Sequence, residues 1–149
     1  MKVLLLLHIQ HNSTIPTGTN NALVIRDDGK IGIGTGSPEY ELHLVSNSSV
    51  NFVGDRYSSD TTATVFRGRK SRGTLSSPLA VNGGDSLVMF DANGYDGTSF
   101  VRGASILFTA NSTFGGFNRG TNITFSTVQD SSTSNYERMR ISHNGNIGI

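Results

Sequence analysis

Turn-forming residues interrupt this chain so often that long helices are excluded. From Thr14 to the end, apolar residues never hold the i, i+3, i+4 spacing of a buried helix face for three turns, and Gly or Pro falls in nearly every window of twelve residues. Ser, Thr, Asn and Gly together supply 65 of the 149 residues. We therefore expect an all-β chain in which short strands alternate with turns.

Nine segments have the composition of strands. Each is rich in β-branched or aromatic residues and is bounded by Gly, Asn, Asp or Ser. These segments are residues 22–26, 30–33, 41–45, 50–53, 62–67, 86–91, 100–110, 122–128 and 137–142. This pattern is typical of short strands separated by turns.

Two of the turns are specific enough to predict tight hairpins. One contains Asp27-Asp28-Gly29 and the other contains His143-Asn144-Gly145. Each places Gly, which adopts a positive φ without steric cost, after a residue that tolerates the same conformation. The flanking segments align as well: residues 23–33 match 139–149 at five of eleven positions, at an offset of 116. The sequence therefore predicts an internal repeat.

The repeat divides the chain and predicts a piece of a longer repetitive protein, because the second copy stops within the motif. The parts are an N-terminal segment at 1–21, a first hairpin motif at 22–46, a β-rich module at 47–136 and a second, truncated hairpin motif at 137–149. The apolar run at residues 3–9 is too short to span a bilayer and is not followed by a small-residue cleavage site. We interpret that run as a strand, with a signal peptide as the alternative.

Several motifs occur in an order that resembles bacteriophage tail-fibre proteins. The second hairpin has the pattern apolar-Arg-Ile-x-x-x-Gly-Asn-Ile-Gly-Ile, and the first continues into Gly-Thr-x-Ser-Pro and then Leu-His-Leu-Val. Between the two copies, Arg-Gly-Thr-Leu at 72–75, Asn-Gly-Gly-Asp at 82–85 and the run at 94–100 are also similar to segments of such fibres. The likeness covers about residues 20–149.

The resemblance implies a virion component: an elongated, intertwined or side-by-side homotrimer of β-prism or β-helix-like type. The composition agrees with it, because Leu, Ile, Val and Phe supply only 39 of the 149 residues and a partner chain would add the missing core. Five residues of the first motif would then face the shared core of the trimer. They are Ile25, Ile31, Ile33, Leu42 and Leu44.

Composition and motifs argue against most catalytic and cofactor chemistry. The chain has no Cys, and its net charge of +1 does not favour nucleic acid. Most Asp and Glu residues lie beside Gly or Asn in predicted turns, and no nucleophile elbow, zinc motif or phosphate loop is present. We predict no enzymatic activity, cofactor or metal site. His43 on a threefold axis is the alternative that would hold an ion, and the calcium-loop pattern at 91–97 is interpreted as a plain turn.

Host contact is the remaining role for exposed side chains. Phe66, Phe90, Phe108 and Phe125 fall in predicted buried strands, which leaves aromatic residues in turns and one basic cluster, otherwise interpreted as solvated, as candidates for contact with host cell-surface polysaccharide. The candidate contact residues are Tyr57, Tyr95, Phe117, Tyr136, Arg67 and Arg69, together with Tyr40. The leading hypothesis is a non-enzymatic shaft or receptor-proximal segment of a tail fibre. The alternatives are a fragment of a tailspike-like glycan depolymerase and a bacterial surface adhesin.

Overall fold

The computed structural model describes residues 23–149, and that part of the chain contains β-strands but no helix. The all-β prediction is therefore confirmed. The predicted N-terminal segment at 1–21, with the apolar run at 3–9, lies outside the described residues. The chain forms two compact units that divide between Thr64 and Val65.

The first unit contains a small three-stranded sheet. Strand β1 (Val24–Ile25) pairs antiparallel with β2 (Ile31–Ile33), and β2 pairs in parallel with β3 (Leu42–Leu44). The parallel pairing requires the chain to cross over between β2 and β3. Gly34 begins this crossover with φ +76°, and Val45 beyond β3 donates its N–H to the Ile33 carbonyl oxygen at 2.9 Å.

The register of this sheet sorts its side chains by polarity. Residues paired across neighbouring strands project to the same face, and alternate residues along a strand do so as well. The pairs Ile25 with Ile31, Ile31 with Leu42 and Ile33 with Leu44 therefore place all five apolar residues on one face. Ile25 is 60% exposed in the single chain, so this face is largely open to solvent.

Both predicted hairpins are confirmed, and their turns have the same geometry. In the first turn, Gly29 has φ +86° and donates its N–H to the Arg26 carbonyl oxygen at 2.9 Å. In the second, Gly145 has φ +85° and donates to the Ser142 carbonyl oxygen at 2.8 Å. Each is a three-residue loop that ends in a left-handed glycine. The larger sequence repeat stays a prediction.

The second unit is built on a five-stranded antiparallel sheet. A short hairpin of two-residue strands, β4 (Arg72–Gly73) and β5 (Pro78–Leu79), precedes it in the chain. The sheet strands are β6 (Ser86–Tyr95), β7 (Phe100–Ala110), β8 (Thr121–Val128), β9 (Asn135–Ile141) and β10 (Ile147–Gly148). They lie in the order β10-β9-β8-β7-β6.

Three sequence predictions about strands are wrong. Residues 50–53 and 62–67 contain no strand, because no strand of the described chain pairs with them; the backbone of Thr62 bonds instead to the side chains of Arg56 and Asp60. Strand β6 does not end at Asp91 but continues through Asn93-Gly94 to Tyr95. A register shift between Ala92 and Asn93 lets pairing with β7 continue, so the turn falls after Tyr95 instead of at 91–97.

Candidate functional site

The five-stranded sheet carries a continuous apolar surface on one side. Its register pairs Val88 with Phe108, Phe90 with Ile106, and Ile106 with Phe125. Because paired residues share a face, apolar side chains from all five strands lie together. We call this surface the apolar face; it comprises Val88, Phe90, Ala92, Ala104, Ile106, Phe108, Ile123, Phe125, Met139, Ile141 and Ile147.

The opposite side of the same sheet is mixed in character. Its central positions include Ser105, Asn122, Thr124 and Ser126, together with Met89 and Leu107, which pair with each other. Asn122 is 8% exposed; its Oδ1 accepts the N–H of His143 at 2.9 Å, which fixes the second hairpin turn against β8. Ser105 and Thr124 are also at most 8% exposed, so the middle of this side is already buried in the single chain.

Little in the single chain covers the apolar face. Phe90 is 56% exposed and Ile147 is 62% exposed, although both lie among apolar neighbours. Part of the face forms an open cavity of about 380 Å³ lined by Phe90, Ala92, Ile106 and other residues of β6, β7 and β8. Residues 65–68 line a second cavity, of about 570 Å³, beside Val88 and Phe108. Only Val81 and Ala110 are fully buried apolar residues within the described chain.

The predicted burial of four phenylalanines is only half correct. Phe108 and Phe125 are partly buried, but Phe66 is 71% exposed, as Phe90 largely is too. For Phe90, the strand-like surroundings in the sequence indicated a sheet face correctly, but little of the described chain covers that side chain. The alternation from Val88 to Ala92 was the signal that would have grouped Phe90 with the apolar face. Phe66 lies outside the strands of the described chain.

No protein-family model and no curated protein matches the sequence. The solved structures that match include two that each cover 85% of the chain. One is the carboxy-terminal domain of the bacteriophage T5 L-shaped tail fibre, at 17% identity and a TM-score of 0.72, and the other is the same domain with its intramolecular chaperone domain, at 18% identity and a TM-score of 0.71. The chain has a tail-fibre-like fold. It spans 58% of the first neighbour and 40% of the second.

The carboxylates of this tail-fibre-like fold lie in ion pairs and turns. Arg72 donates from Nε and Nη2 to the two carboxylate oxygens of Asp85, each at 2.6 Å, and the Asn82 N–H adds a third bond at 2.9 Å. These bonds, with the guanidinium contributing most, lower the pKa of Asp85 well below its usual value. Hydrogen bonds from arginines or backbone N–H groups also lower the pKa of Asp28, Asp60, Asp91, Asp96 and Glu137.

The Asp85 ion pair predicts a loss of stability in acid. A carboxyl group whose folded pKa lies below its unfolded value of about 3.9 stabilises the fold above that value, and the contribution disappears as the pH falls through the folded pKa. We expect the free energy of unfolding to decrease below about pH 4. In denaturant titrations, Asp85→Asn should be less stable than the parent at pH 6 and should lose less on acidification to pH 2.5.

A matched control for this prediction is Asp130→Asn, because Asp130 makes no ion pair among the described residues. Its acid sensitivity should equal that of the parent chain. An Asp85→Asn variant whose stability falls with acidification as steeply as the parent would contradict the assignment to this ion pair.

The predicted contact aromatics are all exposed. Tyr57 is 94% exposed in a loop fixed by the 2.6 Å ion pair between Arg56 and Asp60, and Phe117 is fully exposed on the turn between Gly115 and Asn118. The other aromatics have local aromatic or cationic partners. Tyr40 lies edge-on to His43 at 6.0 Å, Tyr95 packs against Phe100 at 5.3 Å, and Arg138 lies over Tyr136 at 5.5 Å.

The two predicted arginines also lie in different places. Arg67 lines the cavity beside the apolar face, whereas Arg69 lines a separate shallow cavity with Arg72 and Leu75. His43 lies opposite Gly32 on the face away from Leu42, and its Nδ1 accepts the Glu39 N–H at 3.3 Å. Across residues 23–149, no three His, Asp or Glu side chains are grouped as metal ligands, and no helix could cross a membrane.

Proposed function

We propose that this chain is a structural, non-enzymatic segment of a phage tail fibre and that it assembles as a homotrimer in the virion. The observation that carries the proposal is the open apolar face, which extends across five strands of one chain. Monomeric soluble proteins rarely expose apolar patches of more than a few hundred Å². The fold similarity to tail-fibre domains supports the same role.

In a trimer, each apolar face is buried against the neighbouring chains, and no apolar face stays exposed. Around a threefold axis, every chain places its apolar face towards its neighbours, which closes the assembly. The small sheet of the first unit also has an apolar side, because Ile25, Ile31 and Leu42 share one face. A net charge of +1 per chain adds little repulsion between copies.

The state of the carboxylates supports a structural role. A glycoside hydrolase needs one carboxyl group that stays protonated near neutral pH, and so has a raised pKa, to donate a proton to the leaving group. The hydrogen bonds at Asp85, Asp91 and Glu137 act in the opposite direction and lower the pKa. The ion pairs Arg72–Asp85 and Arg102–Asp91 join different elements of the chain, and Glu137–Arg140 lies within β9, so these carboxylates are suited to a structural role.

Host attachment is the second part of the proposed role, through contact with cell-surface polysaccharide. The exposed aromatic residues on short, hydrogen-bonded turns support it, because Phe117 and Tyr57 extend fully into solvent from ordered backbone. Each single contact would be weak. Three chains in one fibre multiply such contacts and raise the overall affinity without a tight individual site.

Analytical ultracentrifugation of the full chain tests the assembly. The sedimenting species should contain three chains of 15.9 kDa across the micromolar concentration range, and no stable monomer should persist. The reason is that dissociation would return three apolar faces to water at about 25 cal/mol per Å². A well-folded monomer at these concentrations would overturn the proposal.

A further inference from the structure

One end of the five-stranded sheet contains a cavity lined by several polar residues and separate from the apolar face. It has a volume of about 730 Å³ and lies between the hairpin that joins β6 to β7 and the loop that joins β8 to β9. Small-molecule sites in proteins have volumes of about 300–1,000 Å³ and combine apolar surface with a few placed polar groups. We call it the hairpin-end cavity.

The hairpin supplies an aromatic wall held in a fixed orientation. Tyr95 lines the hairpin-end cavity, and the Phe100 ring packs against it with a centroid distance of 5.3 Å and an interplanar angle of 59°. The turn beyond them is closed by Asp96, whose Oδ1 accepts the N–H groups of Thr98 and Ser99, each at 2.8 Å. Tyr95 is 62% exposed, so its ring remains accessible although it packs against Phe100.

The loop on the other side supplies hydroxyl and amide groups. Gln129, Ser131, Thr133 and Asn135 all line the hairpin-end cavity. Ser131 has φ +63° and is the one non-glycine residue of the described chain with a positive φ. It occupies the turn that the Ser132 N–H closes onto the Gln129 carbonyl oxygen at 3.2 Å, where Gly or Asn is the usual residue. A serine places a hydroxyl group there instead.

The charges around the cavity select against anions. Asp96 and Asp130 both line it, and the one lining cation, Arg102, donates from Nε to Asp91 at 2.6 Å. The local balance is therefore negative. A ligand that carries carboxylates or sulfates would be repelled, whereas a neutral ligand rich in hydroxyl groups would exchange hydrogen bonds with both walls.

We propose that the hairpin-end cavity binds neutral hexose units of a polysaccharide. The C–H face of a pyranose ring stacks on an aromatic face such as that of Tyr95, because its weakly positive hydrogens meet the negative face of the ring. The hydroxyl groups at the edge of the sugar then face Gln129, Ser131 and Thr133. This site rests on the proposed attachment role and specifies where one class of receptor is contacted.

Affinity electrophoresis of the intact chain in gels containing mannan, dextran or polygalacturonate tests the site. At least one of the two neutral polymers should retard the chain, and polygalacturonate should not. Tyr95→Ala should weaken that association about tenfold, since an aromatic stack contributes roughly one decade in affinity. Gln129→Ala on the opposite wall should weaken it too and keeps the test informative if the first variant folds poorly.

The matched control is Phe52→Ala, which removes an aromatic ring that is 63% exposed and lies outside both the cavity and the candidate contact residues, and it should leave the retardation unchanged. Failure of both neutral polymers to bind, equal losses in the Phe52 and Tyr95 variants, or stronger binding to polygalacturonate would each overturn the site. Sedimentation of the same samples separates the two proposals. A trimer that binds no polymer would overturn the proposed site alone. A monomeric parent chain would overturn the proposed fibre role. A Tyr95→Ala variant that fails to assemble would place Tyr95 in the interface between chains and would overturn its role in the site.

Discussion

Replacing Phe90 with Asp is expected to abolish trimer formation while leaving the five-stranded sheet folded. Phe90 is already 56% exposed in the single chain, so a carboxylate there remains hydrated and costs the fold little. In the assembled fibre the same position would be covered, and each of three buried, unpaired carboxylates would cost several kcal/mol. Sedimentation should show dissociation to monomers, and far-UV circular dichroism should retain the β signal.

The control for this variant is Tyr57→Asp. Tyr57 is 94% exposed, so the change in charge and size is the same, but the residue lies outside the apolar face. Its trimer should survive with a stability close to that of the parent. A Phe90→Asp chain that still sediments as a trimer would place the interface elsewhere.

A second large effect is expected for Gly34→Ala. A Cβ atom at Gly34 would overlap the carbonyl oxygen of Val45, and φ +76° is itself unfavourable for alanine. Because the obstacle is backbone, relief requires β2 and β3 to separate, which breaks the hydrogen bond from Val45 to Ile33. We expect a destabilisation of at least about 3 kcal/mol, at the high end of single-residue effects.

Hydrogen exchange of the amides in residues 31–45 measures this effect where it occurs. Gly29→Ala is the matched control, since Gly29 has φ +86° but no atom lies within 4 Å of its added Cβ. It isolates the cost of the positive φ, about 1 kcal/mol. Comparable protection in the two variants would show that the strands can move apart freely around Val45.

Local chemistry made some of the fold predictable. The hairpins at Gly29 and Gly145 were predictable because the need for a positive φ is decided by the residue itself and its immediate neighbours. The end of β6 was not, because Asn93-Gly94 has the composition of a turn and only the register with β7 keeps it in the sheet. Strand propensity at 50–53 failed for the same reason, since a strand requires a partner that its own residues do not specify.

The candidate site was also predictable from the sequence only in part. Exposure of Tyr57, Tyr95 and Phe117 was predictable from their places among turn residues, but the pairing of Tyr95 with the loop at 129–134 depends on the order of strands in the sheet. The apolar face was partly predictable from the alternation of Val88 and Phe90. Its exposure was not predictable, because the sequence shows which residues are apolar but not whether other parts of the same chain bury them.

The internal position of β7, between β6 and β8, has a mechanical consequence. Phe100–Ala110 pairs with β6 on one side and β8 on the other, antiparallel in both cases. A pull applied along this strand loads both ladders in shear, so many hydrogen bonds must yield together. A pull across the sheet would instead peel one edge away bond by bond. The sheet therefore resists tension applied along β7 more strongly than tension applied across its strands.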